Sequence, residues 1–455
     1  MNSDQSTPVR VINAPGRLPK FPDRNTIFIA NLLALFFGNE EETRLLANEV
    51  GEVDSYGGRL IPIIDILFGG QGNLLVLERA PDPHLCDYFV ETLGLSLPAQ
   101  EILPHRDYLK IEHQRDAPIV DRLAAHGAGW IDGYVTDDTL AFLAERIGKR
   151  TVSSVQGSRL GNNKRMLHEY LEQNGLPVVQ AEMASTAAAI PACLDRLRKS
   201  GFSAGVIKAA IGASGIGMTK VDSLADYGDI GNQIPEHFFF EGPCIVQGWL
   251  QPGQLGVTGI RSPSVQLFID EDSVTQYDLT EQILSCASVH EGNESPPPYL
   301  DREPDLKSEL LRQGGIAGSW LHERGYRGTA SADFLVVDYE DRTDVYVCEI
   351  NARVTGATYP SVLARKFIPD GAWLLRNLRF TRPLTGREIL AALKKSGDLF
   401  IPGKSEAGII PVNFNFGTDD LVHKGQFLCL AHSPAGSHVL LDLAELDLPC
   451  ETDRD

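Results

Sequence analysis

No long run of lysine and arginine occurs anywhere in this chain, in which Asp+Glu 61 outnumber Lys+Arg 41 for a formal net charge of -20. Phosphate-backbone binding needs clustered cations that release counterions, so a general nucleic-acid surface is excluded. The seven cysteines (Cys86, Cys193, Cys244, Cys286, Cys348, Cys429 and Cys450) are odd in number, scattered, and include no C-x-x-C pair. That spacing builds neither a disulfide framework nor a zinc site, and it predicts reduced thiols in a cytoplasmic protein. Long apolar runs are missing too. The stretch "TIFIANLLALFFG" is too short to cross a bilayer and carries Asn31, so no membrane span is expected. The start, "MNSDQSTPVRVINAPGRLPKFPD", has no apolar h-region and reads as a flexible arm over residues 1–25.

What is present is the composition of an ordinary globular protein, 43% hydrophobic, 22% charged and 8% aromatic, long enough for about three domains. Over residues 26–155, short apolar runs ("TIFIANLL", "LIPIIDILF", "NLLVLE", "GWIDGYV") alternate with helix-compatible stretches such as "EEETRLLANEVG" and "DDTLAFLAERIG". Alternating strand and helix predict an α/β layer with a mainly parallel sheet. In "GNNKRMLHEYLEQNGLP", Asn162 or Asn163 is placed to cap a helix that Gly175 and Pro177 close. Lys164 then stands in the first turn, the wrong end of the helix dipole for a cation, at a cost of a few tenths of a kcal/mol. "GVIKAAIGASGIGMTKV" reads as strand, glycine-rich turn and strand, with Lys208 just ahead of the turn. Its G-x-x-G-x-G spacing, without a following G-K-[ST] or helix, is neither a Rossmann fingerprint nor a Walker loop.

Further on, "PCIVQGWLQPG" and "PSVQLFID" read as strands, and Asp305 to Arg324 as a helix. "ASADFLVVDY", the turn "EDRT" and "DVYVCEIN" then make a hairpin. Side chains on a strand alternate faces, so Glu349, Asn351 and Arg353 share one side, and Asp333 joins them from the paired strand. Two carboxylates about 4 Å apart repel by roughly 4 kcal/mol at an effective dielectric of 20, so something positive must sit between them. Carboxylate, carboxylate and amide oxygens suit Mg²⁺ that keeps waters and binds phosphates. Beyond "TGATYPSVLARK", where Pro360 is placed to start a helix, Thr385 and Glu388 form a capping box. "GIIPVNFNF" and "FLCLAHSPAGSHVLLDL" read as strands, and "VHEGNES" around His290, Glu291 and Glu294 as a polar loop.

Taken singly, each of these pieces has an ordinary structural reading. In order, Lys164 in "NNKRMLHEYLEQNGLP", Lys208 before "IGASGIGM", "VQGWLQPG", Asp333 in "GTASADFLV" and "EINAR" resemble the ATP-grasp enzymes, the superfamily of biotin carboxylase and D-alanine:D-alanine ligase. The match runs from about Gly161 to Lys366. "TGATYPSVLARK" and the longer layout are most similar to the peptide ligases of pheganomycin-type antibiotic biosynthesis. The resemblance implies an α/β (α+β) ATP-grasp fold with a Rossmann-like pre-ATP-grasp domain (26–155), an ATP-grasp domain (156–380, its lid about 165–246) and a small C-terminal extension (381–455).

It implies ATP and Mg²⁺ as cofactors. Lys164 and Lys208 would contact ATP phosphates, with Gly212, Ala213, Ser214, Gly215, Ile216 and Gly217 closing over them. The backbone at Gln247, Gly248, Trp249 and Leu250 would read adenine. Asp333, Glu349 and Asn351 would hold the metal, and Arg353 would steady the transferring phosphoryl group. Three departures matter: Gln247 stands where many relatives carry an acid, "GQLG" has none where they carry another shortly after, and Ser331 stands where some ligases place an arginine, leaving Arg327 or Arg261 for the oxyanion contact. The implied activity is an ADP-forming ligase joining a carboxylate, through an acyl phosphate, to an amine of an amino acid or peptide. A phosphotransferase and a non-catalytic nucleotide-binding protein are the alternatives. Small-molecule substrates are the expected partners, with a homodimer allowed.

Overall fold

The computed structural model describes residues 9–50, 56–113, 117–213, 215–284 and 290–451. Three sheets organise them. The first is parallel, with strands in the order Ala99–Ile102, Leu74–Leu77, Thr26–Ile29, Trp130–Gly133 and Arg150–Thr151. Its central strands, TIFI and LLVL, are buried on both faces, as a parallel sheet covered by helices requires. Asp137 caps the helix Asp138–Arg146 by accepting from the Leu140 N–H.

The second sheet is antiparallel, in the order Ala181–Ala184, Cys244–Gly248, Gly205–Ala213, Ile216–Val221. The third has ten strands. Within it the hairpin Gly328–Tyr339 and Thr343–Asn351 lies beside Pro263–Ile269, which pairs in turn with Ser273–Leu284. The helix Pro304–Glu323 lays Leu310, Ala317, Trp320 and Leu321, all fully buried, over this sheet.

Several expectations change. Arg10–Asn13, inside the expected loose arm, is a strand parallel to Ser273–Leu284, so the arm is tied to the sheet. "LIPIIDILF" is not a strand. It forms a 3-10 turn (Tyr56–Leu60) and a short helix (Ile64–Leu67), because its consecutive apolar residues fill a pocket instead of alternating. His290–Ser295 is a strand rather than a loop, joining Ser273–Leu284 to Ala372–Leu384. "SPAGSHVLLDL" folds as the helix Pro434–Asp447, with Ser433 accepting from the Gly436 N–H and Pro434 at the first helical position. The hairpin connection spans residues 340–342, one shorter than expected.

The strands Ala372–Leu384, Val422–Ala431 and Gly408–Phe416 continue the ten-stranded sheet. One large core runs from Phe28 and Leu75 through Val362 and Trp373 to Leu428 and Leu430. The C-terminal residues therefore share sheet and core with the rest. Ile211 and Ile216, from the glycine-rich hairpin, belong to that same core.

Candidate active site

A narrow cleft opens between the antiparallel sheet and the catalytic hairpin of the large sheet. Leu167, Val178, Val179, Ile245 and Val347 supply its apolar wall, and Lys164, Lys208 and Gln247 its polar groups. An apolar slot with few converging polar groups is the usual form of a small-molecule site. Asn163 caps the helix Lys164–Gln173 through the Met166 N–H, which sets Lys164 at the first helical position, as expected. From there the Lys164 Nζ donates to the Gly212 carbonyl at 2.9 Å and lies 3.1 Å from Glu349. The cation at the wrong end of the dipole thus ties the glycine-rich turn to the carboxylate row.

Asp333 lies directly across from Glu349, and Ser331 across from Asn351, so the three expected metal-site residues share one face. Asn351 Nδ2 donates to Asp333 Oδ2 at 2.8 Å. Ser264 Oγ donates to the other oxygen of Asp333 at 2.6 Å, and Ser331 Oγ to the same oxygen at 3.1 Å. Burial, then the nearby charge of Glu349, pushes the Asp333 carboxyl above the usual carboxylate range. Burial also acts to raise Glu349, but Lys164 and Arg353 bring it below that range. Two carboxylates held this close by neighbouring strands, one with an amide beside it, form an oxygen donor set that fits a hard divalent cation. Arg353 is half-buried, donates to Asn162 Oδ1, and lies within electrostatic reach of both carboxylates.

Lys208 is half-buried, and its partial burial lowers its ammonium's pKa. It donates to Gln247 Oε1 at 2.8 Å, while Gln247 Nε2 donates to the Val179 carbonyl. The hydrogen-bond partner of Lys208 is thus a neutral amide, and Glu349 is the carboxylate within electrostatic reach. Gly212 is pressed against Ile216, with no room for a Cβ, and Gly215 and Gly217 take positive φ of 81° and 76°. Ala213 pairs with Ile216 to close the turn; Ser214 lies outside the described residues.

Gly248, Trp249, Arg327 and Arg261 already have partners within the protein. The Gly248 and Trp249 N–H groups donate to the carbonyls of Gln180 and Ala204, and the Trp249 ring lies under Lys220 instead of lining the cleft. Leu250, too, is absent from the cleft's lining, and only Gln247 of this stretch contributes. Arg327 is held by Glu271 and by the carbonyls of His322 and Tyr326, at the far end of the strand from Asp333. Arg261 is taken by Glu303 and Asp338. Both guanidiniums are spent on carboxylates distant in sequence, of which strand pairing brings Asp338 to Arg261.

Three residues were not foreseen. Ser264 and Asn162 come from elements 69 and 191 positions away from their partners Asp333 and Arg353. The third, Glu42, is on the helix Glu40–Val50 of the parallel-sheet region and is 1% exposed. It packs against Gly217 of the glycine-rich hairpin, and its Oε1 has no hydrogen-bond partner. Burial lifts its carboxyl to about 7, opposed by Lys164 and reinforced by Glu241. An acidic first turn was the signal available, yet Glu40, Glu41 and Glu42 look alike in sequence.

A cleft between a small antiparallel sheet and a larger one, with two lysines above a carboxylate hairpin and a Rossmann-like region ahead, defines the ATP-grasp fold. Solved structures bear this out. The chain aligns with biotin carboxylase of Campylobacter jejuni in its β,γ-ATP complex at TM-score 0.59 and 14% identity, covering 94% of this chain and 92% of that one. It aligns with the ADP complex of N5-carboxyaminoimidazole synthetase from Staphylococcus aureus at TM-score 0.52 and 11% identity (94% and 99%). The biotin carboxylase domain of the Hydrogenobacter thermophilus 2-oxoglutarate carboxylase, bound to MgADP, gives TM-score 0.56 at 13% identity (94% and 91%). No family model matches the chain. Among curated proteins it is similar to the [butirosin acyl-carrier protein]–L-glutamate ligase of Niallia circulans, 30% identical over 208 residues, 45% of this chain. The match spans 46% of that relative, about half its length.

Proposed function

We propose that the chain is an ADP-forming ligase that activates a carboxylate as an acyl phosphate and joins it to an amine, most plausibly of an amino acid or peptide. The observation that carries this reading is the row Asp333–Glu349–Asn351, compensated by Lys164 and Arg353, with Lys164 joining it to the cleft that Lys208 also lines. A substrate carboxylate oxygen attacks the γ-phosphorus and ADP departs. The amine nitrogen then attacks the acyl carbon, and phosphate leaves as the C–N bond forms. Lys164 and Lys208 gather the phosphate charge, and Arg353 gathers that on the transferring group and the acyl oxyanion. Asp333, Glu349 and Asn351 would hold Mg²⁺, which when bound neutralises the phosphate oxygens. The hairpin with Gly212, Ala213, Ser214, Gly215 and Gly217 would exclude water that otherwise hydrolyses the acyl phosphate.

The ligase from Niallia circulans supports carboxylate–amine chemistry and a place in antibiotic assembly, and the MgADP and β,γ-ATP bound by the fold's neighbours support the nucleotide and metal. Among the described residues no helix is long and apolar enough to cross a membrane. The cytoplasm is the proposed location, and a homodimer remains part of the proposal. Screening amino acids and short peptides for ADP release tests the reading, with Glu349→Gln as the control that should lose turnover while keeping its fold. Hydroxylamine separates the ligase from a phosphotransferase: an acyl phosphate is trapped as a hydroxamate, and a phosphate ester is not. Retained ATP-dependent ligation in the Glu349→Gln variant would overturn the metal assignment.

A further inference from the structure

Next to the carboxylate row lies a second polar region, where Arg59, Lys424 and Arg379 outnumber Glu78, the carboxylate that accepts from the Gly57 N–H beside Arg59. Arg59, on the turn Tyr56–Leu60, is 6% exposed, and among the described residues no carboxylate pairs with it. Its guanidinium is sandwiched by tyrosines, 3.7 Å from the Tyr56 ring centroid and 5.2 Å from that of Tyr359, and its Nε has no hydrogen-bond partner. Cation–π contact of this kind holds a guanidinium in place without neutralising it.

The turn sits on one face of the C-terminal strands. Gly58 approaches the Asn413 side chain, and Gly57 the Glu78 carboxylate and Ala30, too closely for a Cβ, which is why two glycines precede Arg59. On that face Lys424 lies opposite Arg379 on one side and Asn415 on the other, and Gln426 opposite Asn377 and Asn413. Residues directly across a ladder share a face, so this patch of sheet carries amides and cations where a core would carry leucine. Lys424 also lacks a carboxylate partner among the described residues. Burial, then Arg379 and Arg59, brings its ammonium down to about 8. Tyr56 connects the two regions, being within electrostatic reach of Arg353 on one side and stacked on Arg59 on the other.

Buried cations are normally paired. Arg59 is buried and Lys424 half-buried, neither is paired with a carboxylate among the described residues, and in a chain of net charge -20 this arrangement calls for an anion to complete the site. We propose that Arg59 and Lys424, framed by Tyr56, Tyr359 and Gln426, bind a spectator carboxylate of a substrate: one that is neither phosphorylated nor joined. The inference rests on the ligase reading and narrows it, since at least one substrate then carries a second free carboxylate, as an amino acid or peptide acceptor does at its C-terminus and a dicarboxylic acid donor does at its far end. Arg59 acts here as a binding residue and takes no part in phosphoryl transfer.

Thermal unfolding of the full chain in succinate, glutarate and L-glutamate, against chloride at equal ionic strength, tests the site without turnover. The expected result is a rise in midpoint of several degrees in the wild type, absent in Arg59→Gln and reduced in Lys424→Met. Both variants should keep the wild-type midpoint without added anion and should still bind MgADP. No rise in the wild type with any of the three anions overturns the subsite. So does a steep loss of midpoint in Arg59→Gln, which would make the arginine structural. Failure of the ligase reading shows separately, as absent ADP release across the substrate panel while the anion shift persists. Where turnover is found, replacing the carboxylate by the carboxamide on the acid or on the amine identifies which substrate the site holds. The sensitive one should lose at least tenfold in kcat/KM with the wild type and little with Arg59→Gln.

Discussion

Two buried polar regions stand side by side in this molecule, and they treat charge in opposite ways. Along the catalytic hairpin, Asp333 and Glu349 are answered by Lys164 and Arg353, and each carboxylate has close hydrogen-bond or ion-pair partners. Around Arg59 and Lys424, the neighbours are phenols, amides and another arginine. The first region is close to balanced before nucleotide arrives, as suits groups that must hold a cation and phosphates together. The second is unbalanced by design of its surroundings. A third group marks what full compensation looks like: Asp278, 2% exposed, receives the Arg365 fork, the Ser295 hydroxyl and the Trp373 Nε1.

The largest effect expected from altering this contrast is on the balanced row. Asp333→Asn should lower ADP-forming turnover by about 10³-fold or more, at least about 4 kcal/mol of transition-state stabilisation, with the circular-dichroism spectrum unchanged. A variant that keeps a tenth of wild-type turnover would remove Asp333 from the metal site. Next comes the fully paired interior. Arg365→Met leaves Asp278 buried without its cation and should cost about 3 kcal/mol of stability in urea unfolding. A loss under 1 kcal/mol would show that the sheet tolerates unpaired charge anywhere, and the contrast with Arg59 would lose its meaning.

A smaller effect is expected at Glu42, whose carboxyl rises to about 7 from an ordinary 4.5. A carboxyl raised by folding favours the folded state at pH below 4.5, and that contribution disappears as pH climbs through 7. Wild-type stability should therefore fall between pH 5 and pH 8. Glu42→Gln should flatten that fall and be more stable by about 2 kcal/mol at pH 8. Parallel pH profiles for the two proteins would mean that Glu42 is not shut in by the glycine-rich hairpin. The smallest change is at the cap: Asn163→Ala should cost about 1 kcal/mol in chemical denaturation and weaken nucleotide binding through Lys164. Unaltered stability would argue that packing, not the cap, starts that helix.

Much of the balanced row was legible because it is built from local rules. Spacing of two along "EINAR" set Glu349 and Asn351 on one face, and a short hairpin brought Asp333 across from them. Lys164 announced itself as a cation against a helix dipole, and the structure supplies the reason in Gly212 and Glu349. The alternation of strand and helix before residue 155 marked the parallel sheet. Consecutive apolar residues misled where they filled pockets, as at "LIPIIDILF", and where Ser433 and Pro434 started a helix inside an apparent strand. The ion pairs of Arg327 with Glu271, and of Arg261 with Glu303 and Asp338, were not legible because the partners are distant in sequence.

Periodicity, caps and turns act over a few residues, so the order of letters alone determined that carboxylates, amide and lysines would converge on a hairpin and a glycine-rich turn. Pairing between distant elements is not written in any window of the chain. Only the folded packing decided that Ser264 would orient Asp333, that Glu42 would meet Gly217, and that Arg59 and Lys424 would pair with no carboxylate among the described residues. Burial and neighbouring charge are properties of the finished interior.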